Sequence, residues 1–129
     1  MMDNNIIINI FQTAYDSPEV KNIRKLCYEL TEACGTTPEN LDKMAADRLD
    51  DISRNGLYAV LKTAYWIPTA KIVEKYIEEK LPVSATLYFC EDCYDETAWF
   101  TARIDNGFDT EYDINSAADL QWIINNYNK

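Results

Sequence analysis

Two cysteines separated by two residues form the motif with the clearest chemical potential. Cys90 and Cys93 make a Cys-x-x-Cys pair, and because the chain has no histidine, a structural zinc site would also need Cys27 and Cys34. Those two cysteines would lie about 10 Å apart along a helix axis, whereas thiolates on one zinc ion lie about 3.8 Å apart. Both could join one zinc ion only if the helix frayed at Cys34. The spacing therefore favours unpaired thiols.

The same motif is a poor candidate for redox or nucleophilic chemistry. A reactive cysteine needs an electropositive setting such as a helix start, but Glu91 and Asp92 lie between the two cysteines and would raise the pKa of the thiols. Without histidine, a Ser or Cys nucleophile needs an unusual base, and with only three glycines there is no glycine-rich phosphate loop. We predict that the protein is not an enzyme.

Adjacent carboxylates offer a second kind of chemistry, since paired acids can bind a divalent cation or act as acid and base. The pairs are Asp50-Asp51 and Asp95-Glu96. Neighbouring residues on a helix do not share a face, so the first pair is better explained as solvated surface. We predict no metal site and no cofactor.

Acidic residues concentrate between Cys90 and Asp119. This stretch has nine acids and one base, Arg103, and so carries −8 of the chain's net charge of −10. Such a charge repels nucleic acid and anionic membranes and suits a basic partner, although solubility alone also explains it. The acids assigned to a partner-binding site are Glu91, Asp92, Asp95, Glu96, Asp105, Asp109, Glu111 and Asp113.

Aromatic residues accompany these acids. Tyr88 and Trp99, with Tyr58 as a further candidate, are predicted to share the sheet face that the helices leave open. Aromatic residues on such faces stack RNA bases in some proteins, but the basic residues Lys62 and Arg103 are too few to bind phosphates. A protein-binding or dimer face suits these aromatics better. The alternative is that a helix covers them.

The elements that would position these residues centre on a predicted β-meander. The segments 83–90 and 97–104 alternate apolar and polar residues with a period of two, which is typical of strands with one buried face. Asp105-Asn106-Gly107 predicts a tight turn, after which Phe108–Asp113 returns as a third antiparallel strand. The residues predicted to face the core are Val83, Ala85, Leu87, Phe89, Ala98, Phe100, Ala102 and Ile104.

Helix start signals occur at three further places. Ser17-Pro18-Glu19 begins a helix whose buried stripe extends from Val20 to Cys34. Thr37-Pro38 begins an additional helix over about residues 38–53. Ser116 and Asp119 resemble a capping box for a C-terminal helix, with Asp in place of Glu.

Two other segments are predicted as strands. Asn5–Gln12 has apolar residues on both faces, which favours a central strand. Leu57–Trp66 is predicted as the next strand, although its Ala and Leu content leaves a helix open. Ile67-Pro68 then starts a helix that buries Val73 and Ile77. Its charged residues are predicted to point outward: Glu74, Lys75, Glu78, Glu79 and Lys80.

The order of these elements predicts a single α+β domain over residues 1–129. The predicted fold is a ferredoxin-like sandwich, an antiparallel sheet of about five strands with helices mainly on one face. No run approaches the ~20 apolar residues that span a membrane, and no positive region precedes the apolar run Ile6–Phe11, so we expect no secretory signal. We predict a cytoplasmic protein with reduced thiols.

Residues from about Leu57 to Glu111 resemble the ferredoxin-like YubB-type domain of uncharacterised phage and plasmid proteins. The matching segments are LKTAYWIPTAKIVEKYIEEKLP, ATLYFCED and ETAWFTARIDNG. The chain departs from the family at Ile-Pro-Thr, where the family is richer in proline and tryptophan, and in the helix at 38–53. The resemblance carries no catalytic residues. It implies an origin in a mobile element and favours an anti-CRISPR or anti-restriction inhibitor.

Together these observations predict a non-enzymatic protein that mimics DNA. Its acidic residues, with Tyr88 and Trp99, would dock on a basic, nucleic-acid-binding protein such as a nuclease, without binding nucleic acid or membranes itself. The alternative is a homo-oligomeric scaffold, such as a homodimer, that uses the aromatic sheet face and is acidic only for solubility.

Overall fold

Helices packed on one side of an antiparallel sheet make up the structure, a computed structural model that describes residues 12–48, 56–92 and 97–127. This arrangement confirms the α+β class. The described residues form a three-stranded sheet in the order β1-β2-β3, instead of about five strands. The elements are α1 (Pro18–Ala33), α2 (Pro38–Ala46), α3 (Leu57–Lys80), β1 (Ser84–Asp92), β2 (Thr97–Asp105), β3 (Asp109–Ile114) and α4 (Ala117–Asn126).

The β-meander was predicted correctly in both topology and facing. β1 pairs with β2 and β2 with β3, both antiparallel. Leu87, Phe100 and Ile104 are buried against the helices, as the period-two pattern requires. Gly107 has φ of 109°, and its N–H donates to Asp105 Oδ1 at 2.7 Å. Glycine is favoured at this position because an L side chain rarely adopts that φ.

The prediction of a strand at Leu57–Trp66 was wrong, because this segment is the first half of the helix α3. Its buried residues recur at the spacing of one helix face. Pro68 does not begin a new helix. It lies inside α3, where the missing N–H removes one backbone hydrogen bond. The buried residues of α3 are Val60, Leu61, Ala64, Tyr65, Pro68, Thr69, Ala70, Val73 and Ile77.

The predicted helix caps are confirmed. Ser17 accepts a hydrogen bond from the N–H of Val20, and Thr37 accepts one from the N–H of Asn40. Ser116 caps α4 in the same way, and Asp119 Oδ2 accepts the N–H of Asn115 at 2.8 Å. These bonds satisfy donors that a helix start leaves unpaired.

Parts of two predictions fall outside the described residues. The strand predicted at Asn5–Gln12 lies outside them except for Gln12, which is in a helical segment that continues to Tyr15. The additional helix predicted over about residues 38–53 is present as Pro38–Ala46, and residues 49–53 are outside the described part. None of the described helices is both long and apolar enough to cross a membrane.

Candidate protein-interaction face

The sheet has one face against the helices and one open face. We call the open one the outer face. Its side chains are mostly exposed or half-buried, in contrast to the buried residues on the helix side. The outer-face residues are Ser84, Thr86, Tyr88, Cys90 and Asp92 from β1, Thr97, Trp99, Thr101, Arg103 and Asp105 from β2, and Asp109, Glu111 and Asp113 from β3.

Both aromatic residues predicted for a binding site lie on the outer face. Tyr88 is opposite Thr101, and Trp99 is opposite Cys90. Tyr88 is 47% exposed and Trp99 is half-buried. Tyr58, the third candidate, is near the start of α3 and not on the sheet. No described helix covers Tyr88.

The predicted acids divide between the two faces. Glu91 lies on the helix side, since it is opposite Ala98 in the register. Its carboxylate is 3.3 Å from the ammonium group of Lys62 on α3, which also pairs with Glu19. The residues Asp95 and Glu96 lie outside the described part of the chain. The acids on the outer face are Asp92, Asp105, Asp109, Glu111 and Asp113.

Among the described residues, the outer face has one cation, and it is already paired. Arg103 forms an ion pair with Asp109, and this contact, with the hydroxyl of Tyr88, raises the pKa of the Arg103 guanidinium. Thr101 Oγ1 donates to Asp113 Oδ1 at 3.0 Å. Glu111, opposite Arg103 in the register, has no hydrogen bond or ion pair with any other described residue. The face therefore keeps an excess of negative charge.

Lys62, the other base considered for the sheet, lies on α3 and pairs with acids away from the outer face. Lys62 is mostly buried, with 15% of its side chain exposed. Desolvation lowers its pKa, but the hydrogen bonds that its ammonium group donates to Glu19 and Glu91 outweigh that effect and raise the pKa above its ordinary value. Lys62 thus offsets one of the two acids with which it pairs and is not a base on the aromatic face.

A second polar group lies between the helices and was not predicted from the sequence. We call it the tyrosine–aspartate cluster: Tyr15, Arg24, Tyr28, Asp42 and Tyr65. The hydroxyls of Tyr28 and Tyr65 both donate to Asp42 Oδ1, at 2.6 and 2.9 Å. The Arg24 guanidinium lies 3.5 Å from the centre of the Tyr15 ring and donates to the Tyr15 carbonyl at 2.7 Å. Burial is the main cause that raises the pKa of both Tyr28 and Tyr65.

The cysteines do not form a reactive group within the described residues. Burial raises the pKa of Cys27 to about 12 and that of Cys34 to about 11, so both thiols are protonated at neutral pH. Cys90 lies on the outer face, 3.7 Å from Thr101 Oγ1, and Cys93 is outside the described residues. No three potential metal ligands come together in residues 12–48, 56–92 and 97–127.

Comparison of the chain with protein-family models, with curated proteins and with solved structures finds no match. The resemblance to the YubB-type domain therefore stays a prediction. A functional conclusion has to be drawn from the geometry and charge of the outer face.

Proposed function

We propose that the protein is a non-enzymatic inhibitor that docks its outer face on a basic, nucleic-acid-binding surface of another protein. One observation carries the proposal. Five carboxylates and two aromatic side chains share one open sheet face, and the single guanidinium among them is already paired with Asp109. A partner rich in Lys and Arg would meet a surface complementary in charge.

The acidic row on β3 supports a mimic of a phosphate backbone. Asp109, Glu111 and Asp113 project from one face at steps of about 6.8 Å. Phosphates on one DNA strand follow each other at ~3.4 Å of axial rise, so every second phosphate falls at a similar spacing. Any alternating acidic strand has this spacing. The added support comes from the open face around the row and the absence of a paired base for Glu111 among the described residues.

The aromatic residues supply the second part of the surface. Trp99 lies on β2, the strand that pairs with the acidic row, and Tyr88 lies on β1, the strand beyond it. Aromatic side chains at the centre of an interface often carry much of the binding energy, whereas charges at the rim mainly speed association. We expect these two residues to anchor the partner and the carboxylates to orient it.

The biological setting of the proposal comes from the YubB-type resemblance. A mobile-element protein with an acidic docking face would act on a host defence protein, as anti-CRISPR and anti-restriction inhibitors do. A nuclease is the expected target because its basic groove binds DNA.

A pull-down from host lysate with a matched pair of variants tests the proposal. The outer-face variant is Asp109→Lys/Glu111→Lys/Asp113→Lys. The control, Glu29→Lys/Glu32→Lys/Asp47→Lys, makes the same charge change at exposed positions on α1 and directly after α2. We expect the wild type and the control to retain a basic nucleic-acid-binding protein that high salt releases, and the outer-face variant to lose it while remaining folded by circular dichroism. Equal capture by both variants would contradict the proposal.

A homo-oligomeric scaffold is the second candidate, favoured by the exposure of Tyr88 on an uncovered sheet face. In that case two copies would bury Tyr88 and Trp99 against each other. Light scattering separates the candidates, because Trp99→Ala should break such a dimer and leave the mass of a monomeric inhibitor unchanged.

A further inference from the structure

The two edges of the sheet differ in how their backbone groups are satisfied. At the β1 edge, the N–H of Ala85 donates to Glu78 Oε2 at 3.1 Å, and the N–H of Leu87 donates to Glu74 Oε2 at 2.8 Å. The two glutamates are four residues apart on α3 and so share one helix face, while the two N–H groups are two residues apart and share one strand edge. The helix α3 thereby blocks this part of β1 from pairing with a further strand.

The β3 edge has no such cover from residues 12–48, 56–92 or 97–127. The N–H groups of Ala85 and Leu87 point away from β2, so their partners on β2, Ile104 and Ala102, direct their own backbone groups toward β3. The hydrogen bonds between β2 and β3 are therefore made by the residues opposite these two, Thr110 and Tyr112. The N–H and C=O groups of Asp109, Glu111 and Asp113 therefore point away from the sheet. All three residues are exposed, and their N–H groups have no hydrogen-bond acceptor in the described part of the chain.

We propose that the β3 edge accepts an extended basic segment of the partner as a fourth strand, an inference that rests on the proposed function. In such a pairing the incoming residues opposite Asp109, Glu111 and Asp113 would lie on the outer face. Their Cβ atoms would be about 4.5–5.5 Å from those of the acids, a distance at which opposite charges stabilise the pair. Lys or Arg at every second position is the matching pattern.

The other positions of the incoming segment would meet aromatic side chains. Tyr112 faces the helix side, and its ring centre lies 6.2 Å from that of Trp122 on α4. Trp122 is 57% exposed, so much of its ring surface is not packed by the protein itself. Apolar residues between the basic ones would cover this surface. The matching segment therefore alternates basic and apolar residues.

A second copy of the chain is a poorer occupant. Antiparallel pairing of two β3 edges about a two-fold axis at Glu111 would place Glu111 opposite its counterpart and each Asp109 opposite an Asp113. Like charges directly opposite each other destabilise a sheet pair. The β3 edge is thus suited to a basic strand and resists pairing with itself.

A labelled peptide tests this pairing directly. The probe is acetyl-Thr-Lys-Val-Lys-Val-Lys-Thr-amide, measured by fluorescence anisotropy against a control peptide of the same composition whose lysines are consecutive. We expect the full chain to bind the alternating peptide about tenfold more tightly than the control, and the amide protons of Glu111 and Asp113 to exchange more slowly when it is bound.

Two substitutions at one position separate the backbone from the charge. Glu111→Gln removes the carboxylate and keeps the N–H, whereas Glu111→Pro removes both, and proline is tolerated at an edge position whose N–H is outside the ladder. We expect Glu111→Gln to weaken binding a few-fold and Glu111→Pro to weaken it by about a further tenfold.

The outcomes distinguish this inference from the proposed function. Equal affinity of the two Glu111 variants, with no slowing of amide exchange in the wild type, would overturn strand addition. The proposed function, in which the partner binds the outer face without adding a strand, would still hold if Asp109→Lys/Glu111→Lys/Asp113→Lys loses the partner. A dimer in sedimentation that Glu111→Pro dissociates, without peptide binding, would overturn the basic segment as the occupant.

Discussion

The carboxylates of Asp42 and Glu111 lie in opposite settings. Asp42, between the helices, accepts hydrogen bonds from two tyrosine hydroxyls. Glu111, on the outer face, makes no hydrogen bond or ion pair with another described residue. The first carboxylate is part of the packing of three helices, while the second is left available for contact outside the molecule. The same chemical group thus supports the fold in one region and, under the proposed function, would contact the partner in the other.

Lys62 and Arg103 show the same contrast among the bases. Lys62 pairs with both Glu19 and Glu91, and only 15% of its side chain is exposed. Arg103 is about half exposed, and its pairing with Asp109 offsets one of five acids on the outer face. Among the described residues, one base thus faces two acids at the Lys62 site, whereas one base faces five acids on the outer face. A partner that approached the outer face would first meet its negative charge.

Asp42→Ala should have the largest effect on stability. It leaves the hydroxyls of Tyr28 and Tyr65 without their acceptor, and unsatisfied polar groups cost about 1–3 kcal/mol each when buried. Because Tyr65 is buried and Tyr28 is half-buried, we expect a loss of roughly 2–4 kcal/mol in urea denaturation, with partner binding unchanged in the folded protein.

Two control variants define that effect. Asp42→Asn keeps a neutral acceptor and should lose less. Asp47→Ala, at the exposed position that follows the same helix, should change the free energy of unfolding by less than ~0.5 kcal/mol. If Asp42→Ala were as stable as Asp47→Ala, the tyrosine–aspartate cluster would not support the fold.

The pH dependence of stability should reveal the buried thiol. Burial raises the pKa of Cys27 to about 12 in the folded protein, whereas the pKa of a thiol in the unfolded chain is about 8.5. Above that pH the unfolded state loses its proton first, so stability falls as pH rises, by up to about 1.4 kcal/mol per pH unit from this group. Tyr28 and Tyr65, whose pKa values are also raised, act in the same direction at higher pH.

Cys27→Ala checks that interpretation. Denaturation by urea at pH 8 and pH 10 should give a smaller fall in the free energy of unfolding for the variant than for the wild type, whatever the absolute stability of the variant. An identical fall in both proteins would show that Cys27 ionises without unfolding.

Arg103→Gln should have the smallest effect on stability and a gain in binding. The ion pair with Asp109 is exposed and so adds little to folding. Without it, Asp109 is free to meet a basic partner, and we expect the affinity to rise about threefold with an unchanged thermal midpoint. Titration calorimetry against the captured partner measures the change. Weaker binding would mean that Arg103 itself contacts the partner.

The part of the fold that was predicted correctly from the sequence is the β-meander, because its alternation of apolar and polar residues is local. In β1 and β2 the alternation of residues such as Leu87 and Tyr88 sets the buried and open faces, and in β3 it gives the acidic row. The start of α3 was mispredicted because Tyr58, Val60 and Lys62 also fit a strand with a period of two. In the structure Ala64 and Pro68 are buried on one helix face. That burial depends on tertiary packing and is not visible in the local sequence.

The remaining features depend on contacts between elements far apart in the sequence. Asp42 lies 14 residues from Tyr28 and 23 from Tyr65, so no local pattern indicates their cluster. Glu74 and Glu78 were predicted to point outward into solvent, but they bind the N–H groups of β1. Their spacing on one helix face was visible in the sequence. Their proximity to a strand edge was not.

The most direct test of the central claim is the affinity of the purified partner at 50 mM and 500 mM salt. It should be measured for the wild type, for Asp109→Lys/Glu111→Lys/Asp113→Lys and for the control Glu29→Lys/Glu32→Lys/Asp47→Lys. If the outer face mimics phosphates, wild type and control should lose at least about tenfold at high salt, and the outer-face variant should bind about a hundredfold more weakly than either at low salt. Equal affinity of all three proteins, unchanged by salt, would contradict the account.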